Sequence, residues 1–332
     1  MPLSGSGCKS NCCRDAAIKH IEIYLLHLFK PERLKLLLKS HIKSKLILAS
    51  LTLIMTNHLL AQAIQDDLNH TIEITQPVNR IIALSPHLVE LAYTAGAGDK
   101  LVARVDHADY PQQAKDIPSL GAFNNWSIEQ VLALKPDLVL VWLTANGDRP
   151  VKQLKELGIN VYVSEPRQLT DIAKTIRDIG KLAATDETAN KNADAFETQI
   201  NALANEYKHK KTISVFYQVW GQPLMTINDQ QLISRIIEIC GGQNIYADLA
   251  GLAPSVDPES LIIKNPQVMI GGATDEIKDN WLQQWLQWPE IAAVKNQQLY
   301  FINPDLLNRQ TVRMIQGAKA MCTYIDNARG LP

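Results

Sequence analysis

Twice in this chain a short helical segment opens on a glutamate, stops at a proline seven residues further on, and gives way to an apolar run. The first copy runs from Ser127-Ile128-Glu129 to Pro136 and then into Leu138–Trp142. The second runs from Asp257-Pro258-Glu259 to Pro266 and then into Val268-Met269-Ile270. Proline breaks a helix because it lacks the N–H and clashes with the preceding turn, so each proline marks a helix end set directly ahead of a strand. A recurrence of this kind predicts two copies of one α/β unit, each with an acid at the start of the equivalent helix.

The flanking segments extend the pattern. Arg80–Leu84 is an apolar run ended by Ser85-Pro86, and Leu88, Leu91 and Ala92 follow at helical spacing up to Gly96. Leu101–Val105 and Ile159–Val163 read as further strands, with a helix over Val151–Leu157 between Trp142 and the latter. Continuous apolar strands alternating with helices through short connections indicate a parallel sheet covered on both faces. From Asp186 to Tyr207 no strand signal occurs, and Ala193, Phe196, Ile200, Leu203 and Tyr207 recur at steps of three and four, which is one long amphipathic helix. The βα pattern then restarts: strand Thr212–Gln218, helix Ile233–Ile239, strand Val268–Ile270 ended by Gly271-Gly272, strand Leu299–Ile302 and closing helix Val312–Ile325. The expected fold is therefore α/β, with two Rossmann-like lobes of mainly parallel sheet joined by one long rigid helix. The N-terminal lobe covers 78–184, the linking helix 186–208 and the C-terminal lobe 211–332. A chain of 332 residues, 46% hydrophobic and 20% charged, is long enough to supply both cores.

Residues 1–63 stand apart as a leader. The apolar run Leu46–Leu60 follows the basic Lys39, His41, Lys43 and Lys45 and precedes Ala61-Gln62-Ala63, the layout of a cleaved export signal. Thr56, Asn57 and His58 interrupt it, and it falls short of the roughly 20 residues of a membrane span. The stretch before it is long for such a signal and points to a start codon near Leu38. Three of the five cysteines, Cys8, Cys12 and Cys13, lie in the leader, leaving Cys240 and Cys322. In an exported protein these form either one disulfide, worth roughly 2 to 4 kcal/mol, or two buried thiols. No cysteine stands at the cleavage point, so a soluble product is expected rather than a lipid-anchored one.

Glu129 and Glu259 have two readings. A carboxylate in a first helical turn is stabilised by roughly 0.3 to 1 kcal/mol through the helix dipole. Alternatively, each lobe offers one acid to an arginine on a partner through a charge-assisted contact. Ligands of open parallel sheets bind at the carboxyl ends of the strands, where Trp142, Trp220 and Asn303–Asp305 fall, with Tyr110 and Phe123 on nearby loops. A cleft walled by rings suits a large, flat, partly apolar ligand. Asp305 and Arg309 share a helical face, either as a surface ion pair or as a cleft pair exchanging hydrogen bonds with amide groups of a ligand. His87 and His107 read as single loop histidines, and no metal site is expected. A net charge of −1 gives no footprint for nucleic acid. No nucleophile elbow, Walker loop, dinucleotide fingerprint or H-E-x-x-H occurs, so no catalytic residue is named.

The stretches NRIIALSPHLVELAYTAG, DYPQQAKDIPSLGAF, SIEQVLALKPDLVLVW, EICGGQNIY and NPDLLNRQTVRMIQGAKAMC together resemble the periplasmic cobalamin-binding proteins of ABC importers, from about Arg80 to the C-terminus. The glutamate-helix-KPDLV segment belongs to a wider class that also takes siderophores and heme, and its combination with CGG…Cys and D-x-x-x-R narrows the resemblance to cobalamin. The resemblance implies a class III fold that closes little on binding and a disulfide between Cys240 and Cys322. It implies docking of Glu129 and Glu259 on permease arginines, and a ligand cleft containing Trp142, Asp305 and Arg309. It further implies a periplasmic monomer that carries cobalamin or a related corrinoid as cargo rather than cofactor, and that partners an inner-membrane permease and ATPase. The chain departs from the pattern at His107, where cobalamin binders carry an aromatic, and at Phe123 and Ala253, where they carry tryptophan. Either Trp220 replaces part of that wall or the ligand is a related corrinoid. The alternatives are a siderophore or heme receptor, which would draw on Tyr110 and His107, and, further off, an enzyme on a doubly wound sheet.

Overall fold

The computed structural model describes residues 62–272 and 275–331. Most of the expected leader, with Cys8, Cys12 and Cys13, lies outside the described residues. Gln62 and Ala63 open a short strand, β1 (Gln62–Gln65), which pairs antiparallel with β2 (Thr71–Ile74). This hairpin was not foreseen; its Ile64, Ile72 and Ile74 alternate with exposed positions and reach the core.

The first lobe consists of β3 (Ile81–Ala83), α1 (Pro86–Thr94), β4 (Leu101–Ala103), α2 (Ile128–Ala133), β5 (Leu138–Trp142), α3 (Leu143–Asn146), α4 (Asp148–Glu156), β6 (Val161–Ser164) and α5 (Leu169–Ala183). Its sheet is parallel, in the order β4-β3-β5-β6. After α6 (Asp186–Tyr207) the second lobe adds β7 (Ile213–Gln218), α7 (Leu232–Ile239), β8 (Gly242–Asn244), α8 (Pro258–Lys264), β9 (Val268–Gly272), α9 (Asp275–Trp285), α10 (Ala292–Lys295), β10 (Leu299–Ile302) and α11 (Met314–Arg329). Its sheet is also parallel, in the order β10-β9-β7-β8. Counting strands within each lobe, both sheets run 2-1-3-4. The two glutamate helices, α2 and α8, each precede the third strand. Lys135 and Asn265, the residues ahead of the two prolines, share a left-handed φ of 46°. The duplicated pattern in the sequence is thus a duplicated topology.

The pleat sorts the apolar residues into three cores. In β5, Leu138 and Leu140 face one side and Val139 and Val141 the other; in β7, Val215 and Tyr217 oppose Phe216; in β9, Val268 and Ile270 oppose Met269. One face of each sheet packs under its own outer helices, such as α2 and α4 through Val131, Val151 and Leu154. The other faces of both sheets join a single core that continues along α6, which buries Ala189, Ala193, Phe196, Ile200, Leu203 and Tyr207. That stripe repeats every three to four residues, as an amphipathic helix requires, and it is bordered by α5 on one side and by α7 and α11 on the other. A disulfide between Cys240, at the end of α7, and Cys322, in α11, ties the second lobe together with its Cα atoms 4.6 Å apart.

Candidate functional site

The site is built at the carboxyl ends of the strands. Ser85-Pro86 ends β3 and starts α1, with proline at a position where its missing N–H is harmless. This turn puts His87 in the core rather than on a loop, a correction to the sequence reading: it is 2% exposed. Its Nδ1 lies 2.8 Å from Ser85 Oγ, and its ring stands edge-on to Trp142, 5.2 Å between centroids. Burial, followed by the positive charge of Arg309, lowers the imidazole pKa to about 3, so the ring is neutral. Trp142, the last residue of β5, is half-buried, and its backbone N–H donates to Asn146 Oδ1 at 2.9 Å. The Asn146 Nδ2 in turn donates to the carbonyls of Leu84 (3.1 Å) and Phe123 (2.6 Å). One buried amide therefore holds together the ends of β3 and β5 and the loop that presents Phe123, whose ring is exposed.

One helical turn beyond His87, Glu90 is also 2% exposed and gathers two arginines of the second lobe. Arg313 donates from Nε at 2.8 Å and Nη2 at 2.6 Å, and Arg309 Nη1 lies 3.1 Å away. Arg309 also donates to Asp109 Oδ1 (2.9 Å) and pairs with Asp305 Oδ1 (3.2 Å). Burial pushes the Asp109 carboxyl pKa up, but the hydrogen bond and charge of Arg309 outweigh it and hold the group below its ordinary value. The Arg313 guanidinium stacks 4.1 Å from the Tyr110 ring centroid. The expected pair Asp305 and Arg309 is thus present, within a five-member ion cluster that crosses from one lobe to the other. Three carboxylates face two guanidiniums, and Arg309 is held by carboxylates from both lobes. Sequence reasoning missed Glu90, Asp109 and Arg313; the available signal was a lone acid on the apolar face of a short helix. His107 is exposed at a left-handed φ of 60° and makes none of these contacts.

On the second lobe a cavity of about 480 Å³ opens at the ends of β7 and β9 and beside the turn after β10. Trp220, 63% exposed, forms one wall, with its Nε1 donating to the Gln222 carbonyl at 3.0 Å. Gln218 and Trp281 form the floor. A Cβ at Gly271 would come within 2.9 Å of the Trp281 indole, so the glycine is what lets that ring lie on the strand end.

Glu129 and Glu259 are both exposed in the first turns of α2 and α8. Helices of parallel βαβ units run against their strands, so both acids lie toward the strand ends that carry Trp142 and Gln218. Ser127 Oγ donates to Glu129 at 2.5 Å, which lowers that carboxyl pKa and keeps it ionised.

Two like-wound parallel lobes, braced by an inter-lobe ion cluster and lined with rings and amides at their strand ends, define a solute-binding receptor. A family model described as periplasmic binding protein matches residues 81–306, and the chain belongs to this family, which is non-enzymatic. Among its relatives, the vitamin B12-binding protein of Vibrio cholerae is 36% identical over 254 residues, covering 76% of this chain and 91% of that protein. That of Yersinia pestis is 35% identical, covering 74% and 86%. The crystal structure of the periplasmic vitamin B12 binding protein of Vibrio cholerae matches with a TM-score of 0.72 at 35% identity, over 77% of this chain and 99% of that one. The periplasmic heme binding protein of the same organism shares the fold at 21% identity and a TM-score of 0.64, over 74% and 97%.

Proposed function

We propose that this chain captures cobalamin in the periplasm and hands it to the permease of an ABC importer. The observation that carries the reading is the 36% identity that runs through nearly the whole of a relative named for vitamin B12 binding, whereas identity to a heme binder of the same fold falls to 21%. The ring-rich strand ends support it, since Trp142, Phe123 and Trp220 offer flat apolar surface to a flat macrocycle. Tyr110, Asp305, Arg309 and His107 border the same region in this reading, the first three as a charged and aromatic rim. Glu129 and Glu259, equivalent in topology and exposed, are the points that meet permease arginines, and the importer's ATPase completes the partner complex. The lobes in this proposal span 78–184 and 211–332 with 186–208 between them, and residues 1–63 direct export of a monomer.

Calorimetric titration of the chain from Ile64 onward with cyanocobalamin, cobinamide, heme and a ferric siderophore tests the ligand. One-to-one binding of cyanocobalamin with a Kd between nanomolar and low micromolar, roughly −8 to −12 kcal/mol, is expected. Heat from heme or siderophore alone would overturn the reading in favour of the iron-carrying branch of the fold.

A further inference from the structure

The cavity on the second lobe carries chemistry that the ring-and-macrocycle argument leaves unused. Gln218 ends β7 almost completely buried, 4% exposed, at the cavity floor. Its Oε1 accepts two hydrogen bonds, from Trp281 Nε1 at 2.8 Å and from Trp285 Nε1 at 2.9 Å. Indole nitrogens only donate, so the amide has a single allowed orientation: oxygen toward the two tryptophans, NH2 turned away from them. That Nε2 has no hydrogen-bond partner among the described residues. It lies 3.6 Å from where a Gly221 Cβ would stand, and Gly221 lines the same cavity. A donor fixed in direction, left unpaired and open to the cavity is placed to meet an acceptor from outside the protein.

The rest of the cavity has the same character. Asn280, Gln284 and Asn308 line it, with side chains that have no partner among the described residues, and no charged residue is among its described lining. The neighbouring cation, Arg309, is consumed by Glu90, Asp109 and Asp305. A ligand carboxylate buried here would be desolvated with no cation to offset the cost, whereas a carboxamide would both accept from Gln218 and donate to the flanking amides.

We propose that this cavity is a carboxamide subsite, in which Gln218 Nε2 donates to the carbonyl oxygen of a peripheral amide of the ligand and the site discriminates against the corresponding carboxylate. The inference rests on the corrinoid reading and deepens it, because the corrin ring carries such amides around its edge and heme carries carboxylates. The test uses the protein with cyanocobalamin and with three monocarboxylates, each made by hydrolysing one of its peripheral propionamides. At least one monocarboxylate binds ten-fold or more weakly at pH 7, and the deficit shrinks as the added carboxyl protonates below about pH 4.5. Gln218→Glu keeps an acceptor for both indoles, so the tryptophan fluorescence of the folded protein holds, while the carboxylate with no cation beside it lowers Tm. It loses the donor, and cyanocobalamin affinity falls at least ten-fold. Asn280→Ala, at an exposed position, gives a loss of a few fold without any effect on folding. Equal affinity for cyanocobalamin and all three monocarboxylates would overturn the subsite while leaving corrinoid binding intact. Absence of any cyanocobalamin binding would overturn the corrinoid reading itself.

Discussion

The two lobes share one winding order and yet meet the ligand side of the molecule with different chemistry. In the first, the third strand ends on Trp142, propped by the buried neutral His87 and fastened through Asn146 to the Phe123 loop. In the second, the first strand ends on Gln218, clamped by two indoles, and amides populate the surrounding wall. Topology sets where a side chain at a strand end must stand, and leaves open what that side chain is. The first lobe therefore offers surface to stack on, and the second adds directed hydrogen bonds to the exposed ring of Trp220. The Glu90 cluster holds the two kinds of wall in register.

Removing that cluster is the strongest blow to the comparison. Glu90→Ala leaves the half-buried Arg313 without an ion partner among the described residues and Arg309 with only Asp109 and Asp305. Urea denaturation should show a loss of about 3 to 5 kcal/mol, as for other broken buried ion pairs. A loss below about 1 kcal/mol would mean that the lobes are held by their apolar seam alone. Acid separates the walls more finely, because amides do not titrate and His87 does. In the unfolded chain His87 takes up a proton near its ordinary 6.5, but in the folded one only near 3. Its contribution to stability is therefore complete above pH 6.5 and is lost as the pH falls toward 3. About 2 to 3 kcal/mol of this contribution should be gone at pH 4.5, and His87→Phe should flatten the wild-type decline in Tm between pH 7 and 4.5. An unchanged slope would remove His87 from the account of the first wall. The smallest effect on the isolated protein belongs to the glutamates that the lobes share. Glu129→Lys with Glu259→Lys should leave Tm and cyanocobalamin affinity unchanged while abolishing uptake into cells, and a parallel loss of binding would show that they serve the cleft rather than the partner.

Much of the frame was legible because it rests on period and punctuation. Leu138–Trp142, Asp186–Tyr207 and Leu299–Ile302 are found with the bounds that their apolar spacing and flanking breakers predict. β8 was not, since Gly242-Gln243-Asn244 has no strand propensity and is held in place by pairing with β7. α5 was passed over although Leu169, Ile172, Ile176 and Ile179 recur at helical steps, a signal obscured by the longer helix that follows. In the site, aromatic and charged candidates stood out by residue type. What could not be read is which partner each would meet. Nothing local to Arg309 names Glu90, more than two hundred positions earlier, and nothing local to Gln218 names the indoles on α9. For the same reason His87 was assigned to a loop: its burial depends on Trp142 closing over it from another strand.

The apolar face of α6 is covered partly by Met314, Ile315, Met321 and Ile325 of α11, the last described helix. In the order of synthesis α6 and every strand of both sheets precede that lid. Without it Phe196, Ile200 and Leu203 lack part of their cover and Cys240 lacks its disulfide partner. A chain cut short ahead of α11 therefore loses cover from the interior that both lobes share, not from one half alone.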